Sequence, residues 1–142
     1  MSERLLVHTL RMPIRWGDMD AMGHVNNTVY FRYLEQARLS WFEQIDCVPD
    51  PVSGQGPVII NAHCTFLRQL KYPGEIEVRT FAAPPGRSSI ETMHEIRRVD
   101  RLEVLAAEGG AKVVWIDYHR EKSLPIPDDV RVRFQQAQPA LR

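Results

Sequence analysis

One long stretch of this 142-residue chain, residues 29–45, returns its apolar side chains at helical spacing. Tyr30, Tyr33, Leu34, Ala37, Trp41 and Ile45 recur at steps of three and four, while Val29, Phe31, Leu39 and Phe42 add apolar surface outside that stripe. A helix apolar on several faces is expected to be largely enclosed. The rest of the chain must supply the enclosure, and its patterning has period 2.

Leu10, Met12, Ile14 and Trp16 alternate with Thr9, Arg11 and Arg15, as in a half-buried strand, and Pro13 suits an edge position. After a loop rich in Pro, Ser and Gly at residues 50–57, Val58, Ile60, Ala62, Cys64 and Phe66 alternate with Ile59, Asn61, His63, Thr65 and Leu67. Pro73 and Gly74 fall at the two central positions of a type II turn. The segments "EIEVRTF", "SIETMHEIRRV" and "LEVLAAEGGAKVVWIDYH" then read as three more strands, with Gly109 and Gly110 marking a bulge or sharp bend in the last. Residues 128–137 read as a short final helix or a trailing end. One strand, one long helix and four strands on short turns predict a single α+β domain over residues 1–142, with a curved antiparallel sheet of about five strands wrapped around the helix. One such sheet cannot cover the helix fully, so a symmetric dimer is the default expectation.

Lys plus Arg and Asp plus Glu number 18 each, which removes any general attraction to nucleic acid or to an anionic membrane surface. A polyanionic ligand would have to be met by a local basic cluster. No run approaches the ~18 apolar residues of a membrane span. Cys47 and Cys64 are too few for a disulfide framework, and together these features predict reduced thiols in a soluble, cytoplasmic protein.

Most catalytic signatures are missing. Ser53 in "PVSGQG" lacks the leading glycine of a nucleophile elbow, and there is no H-E-x-x-H, phosphate loop or dinucleotide fingerprint. The five histidines have no metal-ligand spacing, so no metal is expected. What stands out is "GDMDAMGHVNNTVY", residues 17–30, directly before the helix. One capping side chain would suffice there, yet the string offers Asp18, Asp20, Asn26, Asn27 and Thr28. The free N–H groups at a helix start can polarise a carbonyl, and a carboxylate beside them can attack it or activate a water. Those are the minimum parts for acyl transfer to water. A thioester suits so sparse a site, because sulfur donates little resonance to the carbonyl and a thiolate leaves readily.

The string "WGDMDAMGHVNNTVYFRYLEQARLSWF" closely resembles the loop and central helix of hotdog-fold acyl-CoA thioesterases of the 4-hydroxybenzoyl-CoA thioesterase type, and the likeness continues through "FLRQLKYPGEIEVRT", "GRSSI" and "AEGGAKVVWID" to "PIP". The resemblance implies a hotdog fold, assembled as a homodimer at least, or as a tetramer made of two dimers. It implies hydrolysis of an acyl-CoA to free acid and coenzyme A, with no cofactor beyond the coenzyme A carried by the substrate. It places the catalytic carboxylate on Asp20 and the carbonyl-polarising backbone amide on Asn27, with Gly23 and His24 shaping the loop and Asp18 supporting it. Glu35 holds the place from which some members contact the acyl group; it reads equally as a buried acid paired with Arg38 or with an arginine of a partner chain. Arg87, Ser88 and Ser89 would receive the phosphates and pantetheine arm of coenzyme A near the subunit boundary, with Arg68 and Lys71 as alternatives, whereas Tyr30 and Trp41 read as core. Two other uses of the fold differ in their chemistry. A dehydratase would need another acid and histidine arrangement on the helix, which is absent, and a non-catalytic acyl-thioester binder would not need Asp20. A thioesterase acting on acyl-carrier protein is the alternative within the same chemistry.

Overall fold

The computed structural model describes residues 4–139. Strand β1 (Leu5–Pro13) leads through a 3-10 turn at Trp16–Asp18 to helix α1 (Asn27–Gln44), and a second 3-10 turn at Pro51–Ser53 precedes β2 (Gln55–Phe66). Then follow β3 (Glu75–Ala82), β4 (Ser89–Arg98), β5 (Ala107–Asp117), the two-residue β6 (Lys122–Ser123) and helix α2 (Asp128–Phe134). The sheet is antiparallel in the order β1-β3-β4-β5-β2, with β6 paired to β5. Strands adjacent along α1 in sequence therefore occupy opposite edges, and α1 carries the chain from one edge to the other across the sheet's inner face. The expected single sheet around one helix is what forms.

Both ends of α1 are fixed by local chemistry. Asn26 is the N-cap, its Oδ1 accepting from Thr28 N at 3.0 Å and Thr28 Oγ1 at 2.9 Å. At the other end Asp46 takes a positive φ of 56°, and Cys47 N donates to Phe42 O at 2.7 Å while Asp46 N donates to Glu43 O. This pair of bonds is a Schellman termination, with Asp46 where glycine is usual and the buried Cys47 packed back into the cluster around Phe42.

The helix is enclosed on one side only. Tyr30, Tyr33, Leu34, Ala37, Trp41 and Phe42 are buried, but Phe31 and Leu39 are exposed along with Arg32, Glu35 and Gln36, in keeping with the expectation that one sheet cannot cover the helix fully. The reason is geometric, since a sheet of this curvature reaches only the helix face turned toward it. The first half of α1 packs Tyr30, Tyr33 and Leu34 with Leu70, Ile76, Val78 and Ile96. The second half packs Trp41, Phe42 and Ile45 with Ile90, Val113 and Trp115, and α2 closes that end with Val130 and Phe134. Trp41 and Phe134 have ring centroids 5.5 Å apart, so residues 128–134 form the short helix rather than a trailing end.

Three details of the strands differ from expectation. Gly109 and Gly110 make no bulge, because Gly109 pairs regularly with Cys64 and His94, and the register shift in the β2–β5 ladder falls between Ile59 and Asn61. The glycines instead permit close approach: a Cβ on Gly109 would stand 2.4 Å from His63 O and 3.1 Å from Leu34 Cδ1. The strand carrying them begins at Ala107, because residues 102–104 belong to the turn after β4. The turn at Pro73–Gly74 is not type II. The Tyr72–Pro73 peptide is cis and Gly74 has φ 159°, while Arg98 donates to Lys71 O at 2.8 Å and Pro73 O at 3.0 Å, so a long-range guanidinium organises this turn.

Between the two apolar clusters the inner face turns polar. His8 pairs with Thr80, and Thr80 with His94, across β1, β3 and β4. The His8 ring bonds to Ser40 and Gln44 on α1, whereas His94 shares a 3.0 Å bond with Thr80 through Nδ1 and its Nε2 has no partner among the described residues. Burial, reinforced by the nearby Arg38 and His63, pushes the His94 imidazole down to about 3. The unfolded ring titrates near 6.5. Below that value the unfolded chain takes up a proton that the folded chain refuses, so stability falls by about 1.4 kcal/mol per pH unit toward the folded value. Urea unfolding between pH 6.5 and 4.5 is expected to show this loss in the wild type and a shallower slope in His94→Leu. Equal slopes would contradict a neutral buried ring.

Candidate active site

The loop between the Trp16–Asp18 turn and α1 is built by its own short side chains. Asp20 Oδ1 accepts from Met22 N at 2.9 Å and His24 N at 3.2 Å, while Asp20 N donates to His24 O at 2.7 Å. Gly23 sits at φ 76°, and a Cβ there would meet no atom within 4 Å, so backbone conformation rather than space selects glycine. Val25 N donates to Leu70 O at 2.8 Å, which fastens the end of this loop to the segment after β2.

The two aspartates are used differently. Asp18 Oδ2 accepts from Tyr33 Oη at 2.7 Å and from Arg15 N at 2.9 Å, and Asp18 O accepts from Asn26 N at 2.9 Å. Burial and the adjacent carboxylate push the Tyr33 phenol up from its ordinary range, so it remains a donor to Asp18. Asp18 thus supports the loop, as expected. Asp20 is exposed, with Oδ1 fixed by two amides and Oδ2 unpaired among the described residues. Asn27 opens α1, and its N–H has no acceptor one turn earlier, as at any helix start.

Asp20, His24, Asn27, Val25 and Tyr30 line a cleft of about 630 Å³, closed on the other side by Phe66, Leu67, Arg68 and Gln69. The rings of Tyr30 and Phe66 meet edge to face with centroids 4.9 Å apart, forming an apolar wall between cleft and core. Tyr30 is therefore both core, at 3% exposed, and cleft wall. Phe66 was not among the candidates read from sequence, although its place on the same strand face as Cys64 and Ala62 could have pointed to it. A hollow of about 450 Å³ beside Leu5, Ala82, Pro84 and Phe134 has neither an acid nor a nucleophile in its lining.

The other candidates lie elsewhere in the single chain. Glu35 borders a different hollow with Asp18, Arg15 and Tyr33, on the outer side of α1. Its side chain is 60% exposed and pairs with Arg32 at 3.0 Å, one helical turn away, so it is neither buried nor bonded to Arg38. Arg87, Ser88 and Ser89 sit at the far end of the sheet. Ser89 pairs with Val114, seven residues along β5 from the Ala107–Phe66 pair beside the cleft, which is roughly 23 Å at about 3.3 Å per residue. Arg87 O accepts from Ile126 N at 2.9 Å and from Arg131 Nη2 at 3.1 Å, so its backbone helps to hold α2. Among the described residues no group of three or more His, Cys, Asp or Glu could hold a metal ion, and no helix is long and apolar enough to cross a membrane.

A curved antiparallel sheet around one helix, with a carboxylate and a helix start facing one cleft, is the architecture of a hotdog thioester hydrolase. The chain matches the thioesterase-like superfamily over residues 14–134 and belongs to that family. Among solved structures it is similar to the PA2801 protein of Pseudomonas aeruginosa, which carries a provisional thioesterase assignment, at 38% identity and a TM-score of 0.82 over 89% of this chain and 97% of that one. It is also similar to a thioesterase from Thermus thermophilus solved with coenzyme A and zinc, at 28% identity and a TM-score of 0.77 over 92% of each chain. A chloroplast acyl-acyl carrier protein thioesterase of Arabidopsis thaliana is 28% identical over 130 residues, covering 89% of this chain and 67% of that protein.

Proposed function

We propose that the protein hydrolyses acyl-CoA thioesters, with Asp20 as the attacking or water-activating carboxylate and the Asn27 N–H as the donor that holds the carbonyl oxygen. One observation carries this reading: an unpaired carboxylate oxygen and an unpaired helix-start amide border the same cleft. The two amides on Oδ1 aim the carboxylate before substrate arrives, so little reorganisation is needed when the carbonyl enters. Negative charge developing on that oxygen is stabilised by the Asn27 N–H and the positive end of the α1 dipole. The C–S bond then breaks, coenzyme A leaves as the thiolate, and water supplies the second oxygen of the free acid. The apolar wall of Tyr30 and Phe66 offers the acyl group a surface of matching polarity, and Gly23 and His24 keep the loop in its turn. No cofactor enters this scheme beyond the coenzyme A of the substrate. Acyl-carrier protein is the second carrier, favoured by the likeness to the Arabidopsis enzyme. Burial pushes both thiols up to about 11, so they stay protonated and weakly nucleophilic, in keeping with the reduced cysteines of the cytoplasmic protein proposed.

The scheme includes a homodimer joined along β2. That strand is an edge, and it exposes Ile60 at 59% and Phe66 at 45%, with Leu67 just beyond it at 43%, which a monomer would leave open to water and to unwanted pairing. Antiparallel pairing of two β2 strands sets the start of one beside the end of the other. The partner's Arg87, Ser88 and Ser89 would then approach this chain's cleft, so residues that lie far apart in one chain meet across the boundary. Pairs of such dimers would form the tetramer.

Free-thiol release from a panel of aliphatic and aromatic acyl-CoAs tests the chemistry. Asp20→Asn is expected to lower kcat by about 10²- to 10⁴-fold with substrate still bound. Undiminished turnover in the variant would sink the assignment of Asp20, and binding without turnover in the wild type would favour a non-catalytic acyl-thioester binder. Single-turnover hydrolysis in ¹⁸O-water separates the routes, because label reaching Asp20 marks a covalent anhydride. Sedimentation of the wild type is expected to show a dimer or larger, and Ile60→Lys to shift it toward monomer. A monomeric wild type at micromolar concentration would contradict the β2 interface.

A further inference from the structure

Among the described residues every half-buried arginine has a partner except Arg38. Arg79, Arg97 and Arg98 pair with Glu77, Glu95 and Asp100, Arg133 pairs with Asp129, and Arg131 donates to the carbonyls of Pro85 and Arg87. Arg38 lies toward the middle of α1 and forms neither a salt bridge nor a side-chain hydrogen bond among the described residues. Burial pulls its guanidinium down from the ordinary arginine range, against a smaller opposing pull from Glu35, whose carboxylate is bonded to Arg32. A guanidinium stays charged in a protein, so a half-buried one without an acceptor carries a cost that a bound anion would remove.

The row of side chains leading to Arg38 starts at the cleft of Asp20. Tyr30, Leu34 and Arg38 follow one another at four-residue steps and so share one flank of α1. Facing them, Phe66, Cys64 and Ala62 occupy alternate positions on the inner face of β2. Four helix residues rise about 6 Å and two strand residues about 6.6 Å, so row and strand keep step. Tyr30 meets Phe66, and Leu34 stands over Gly109, the partner of Cys64, which carries Arg38 on toward the Ala62–Ala111 pair. Along this line β5 contributes only Ala107, Gly109 and Ala111, while Ala62 and Phe66 are exposed and Cys64 is half-buried. A groove therefore runs along β2 from the thioester cleft, apolar on its way and cationic at its far end. Close to that end a second polar atom is unpartnered among the described residues, Nε2 of the 1% exposed His94. The Arg38 charge acts closely enough on that imidazole to help keep it neutral.

We propose that this groove takes the acyl chain and that Arg38 binds a carboxylate at the chain's far end, so that the preferred substrates are thioesters of dicarboxylic acids. The inference rests on the thioesterase reading and names its substrate class. The planar guanidinium fork fits a carboxylate through two parallel bonds, and the apolar stretch before it fits a run of methylenes. From Asn27 to Arg38 the helix rises about 16 Å, and side chains lean back toward the helix start, so the anion belongs at the end of a chain of medium length. Arg38 is a specificity residue in this scheme, remote from the reacting bond.

Matched pairs of equal chain length provide the test: octanedioyl-CoA against octanoyl-CoA, decanedioyl-CoA against decanoyl-CoA, and dodecanedioyl-CoA against dodecanoyl-CoA. The wild type is expected to favour the carboxylated member of at least one pair by about ten- to a hundredfold in kcat/KM, the effect of a hydrogen bond to a charged group. Arg38→Met is expected to bring the members of that pair together, and Arg38→Lys to keep part of the preference. A wild type that hydrolyses both members of every pair equally would overturn the inference and leave the thioesterase reading standing. An equal loss on both members in Arg38→Met would also overturn it, as would a shift of that variant toward monomer in sedimentation with the preference intact, which would give Arg38 to an acid of a second copy. Calorimetric titration with the thioether of coenzyme A and a ω-carboxyalkyl chain, against the plain alkyl thioether, needs no hydrolysis. Tighter binding of the carboxylated thioether that is lost in Arg38→Met would keep the carboxylate site even in a protein that cleaves no thioester.

Discussion

The carboxylate of Asp18 joins three pieces of chain that would otherwise move independently. Through Oδ2 it takes the Tyr33 hydroxyl from α1 and the amide of Arg15, which lies between the first strand and the 3-10 turn, while the backbone carbonyl of Asp18 takes the Asn26 amide at the helix cap. Tyr33 is buried, so this is a hydrogen bond to a charged group in a partly water-excluded place, worth more than its exposed counterpart. The start of α1, the turn before it and the loop carrying Asp20 are positioned by that one node. Everything proposed for the cleft presupposes it, because the unpaired oxygen of Asp20 and the N–H of Asn27 have a fixed separation only while these three pieces stay together.

The two aspartates illustrate a division of work within one short motif. Asp18 is surrounded by donors and has a structural task. Asp20 has one oxygen held by backbone amides and the other turned loose at the surface of a cleft. Tethering one oxygen fixes the direction of the other without filling its lone pairs, which is what a nucleophile or general base requires.

Helix α1 is legible because two signals agree: the stripe from Tyr30 to Ile45, and the acyl-thioesterase-like motif with the capping Asn26 at its start. The strands were legible from alternation, and the edge place of β1 from Pro13. Properties that depend on distant neighbours were not. Gly109 and Gly110 looked like a bulge from composition, but what requires them is the approach of His63, Leu34 and Thr92 from other elements. The turn at Pro73 has its geometry set by Arg98, a residue 25 positions away. Glu35 sits at the spacing of a pocket residue, yet which side of α1 is covered depends on sheet curvature, and Arg32 is simply the nearer partner. Arg87, Ser88 and Ser89 were grouped with Asp20 by likeness to a family, and the register shows them about a strand's length away within one chain.

The central claim is that the acyl carbonyl sits between Asp20 and the first turn of α1. A crystal structure with a non-hydrolysable ketone analogue of an acyl-CoA, in which a methylene separates the carbonyl from the sulfur, addresses it most directly. The account predicts the carbonyl oxygen within hydrogen-bond distance of Asn27 N, about 3 Å, and Asp20 Oδ2 about 3 to 3.5 Å from the acyl carbon. An acyl group lodged instead in the hollow of Asp18, Tyr33 and Glu35 on the outer side of α1 would contradict it.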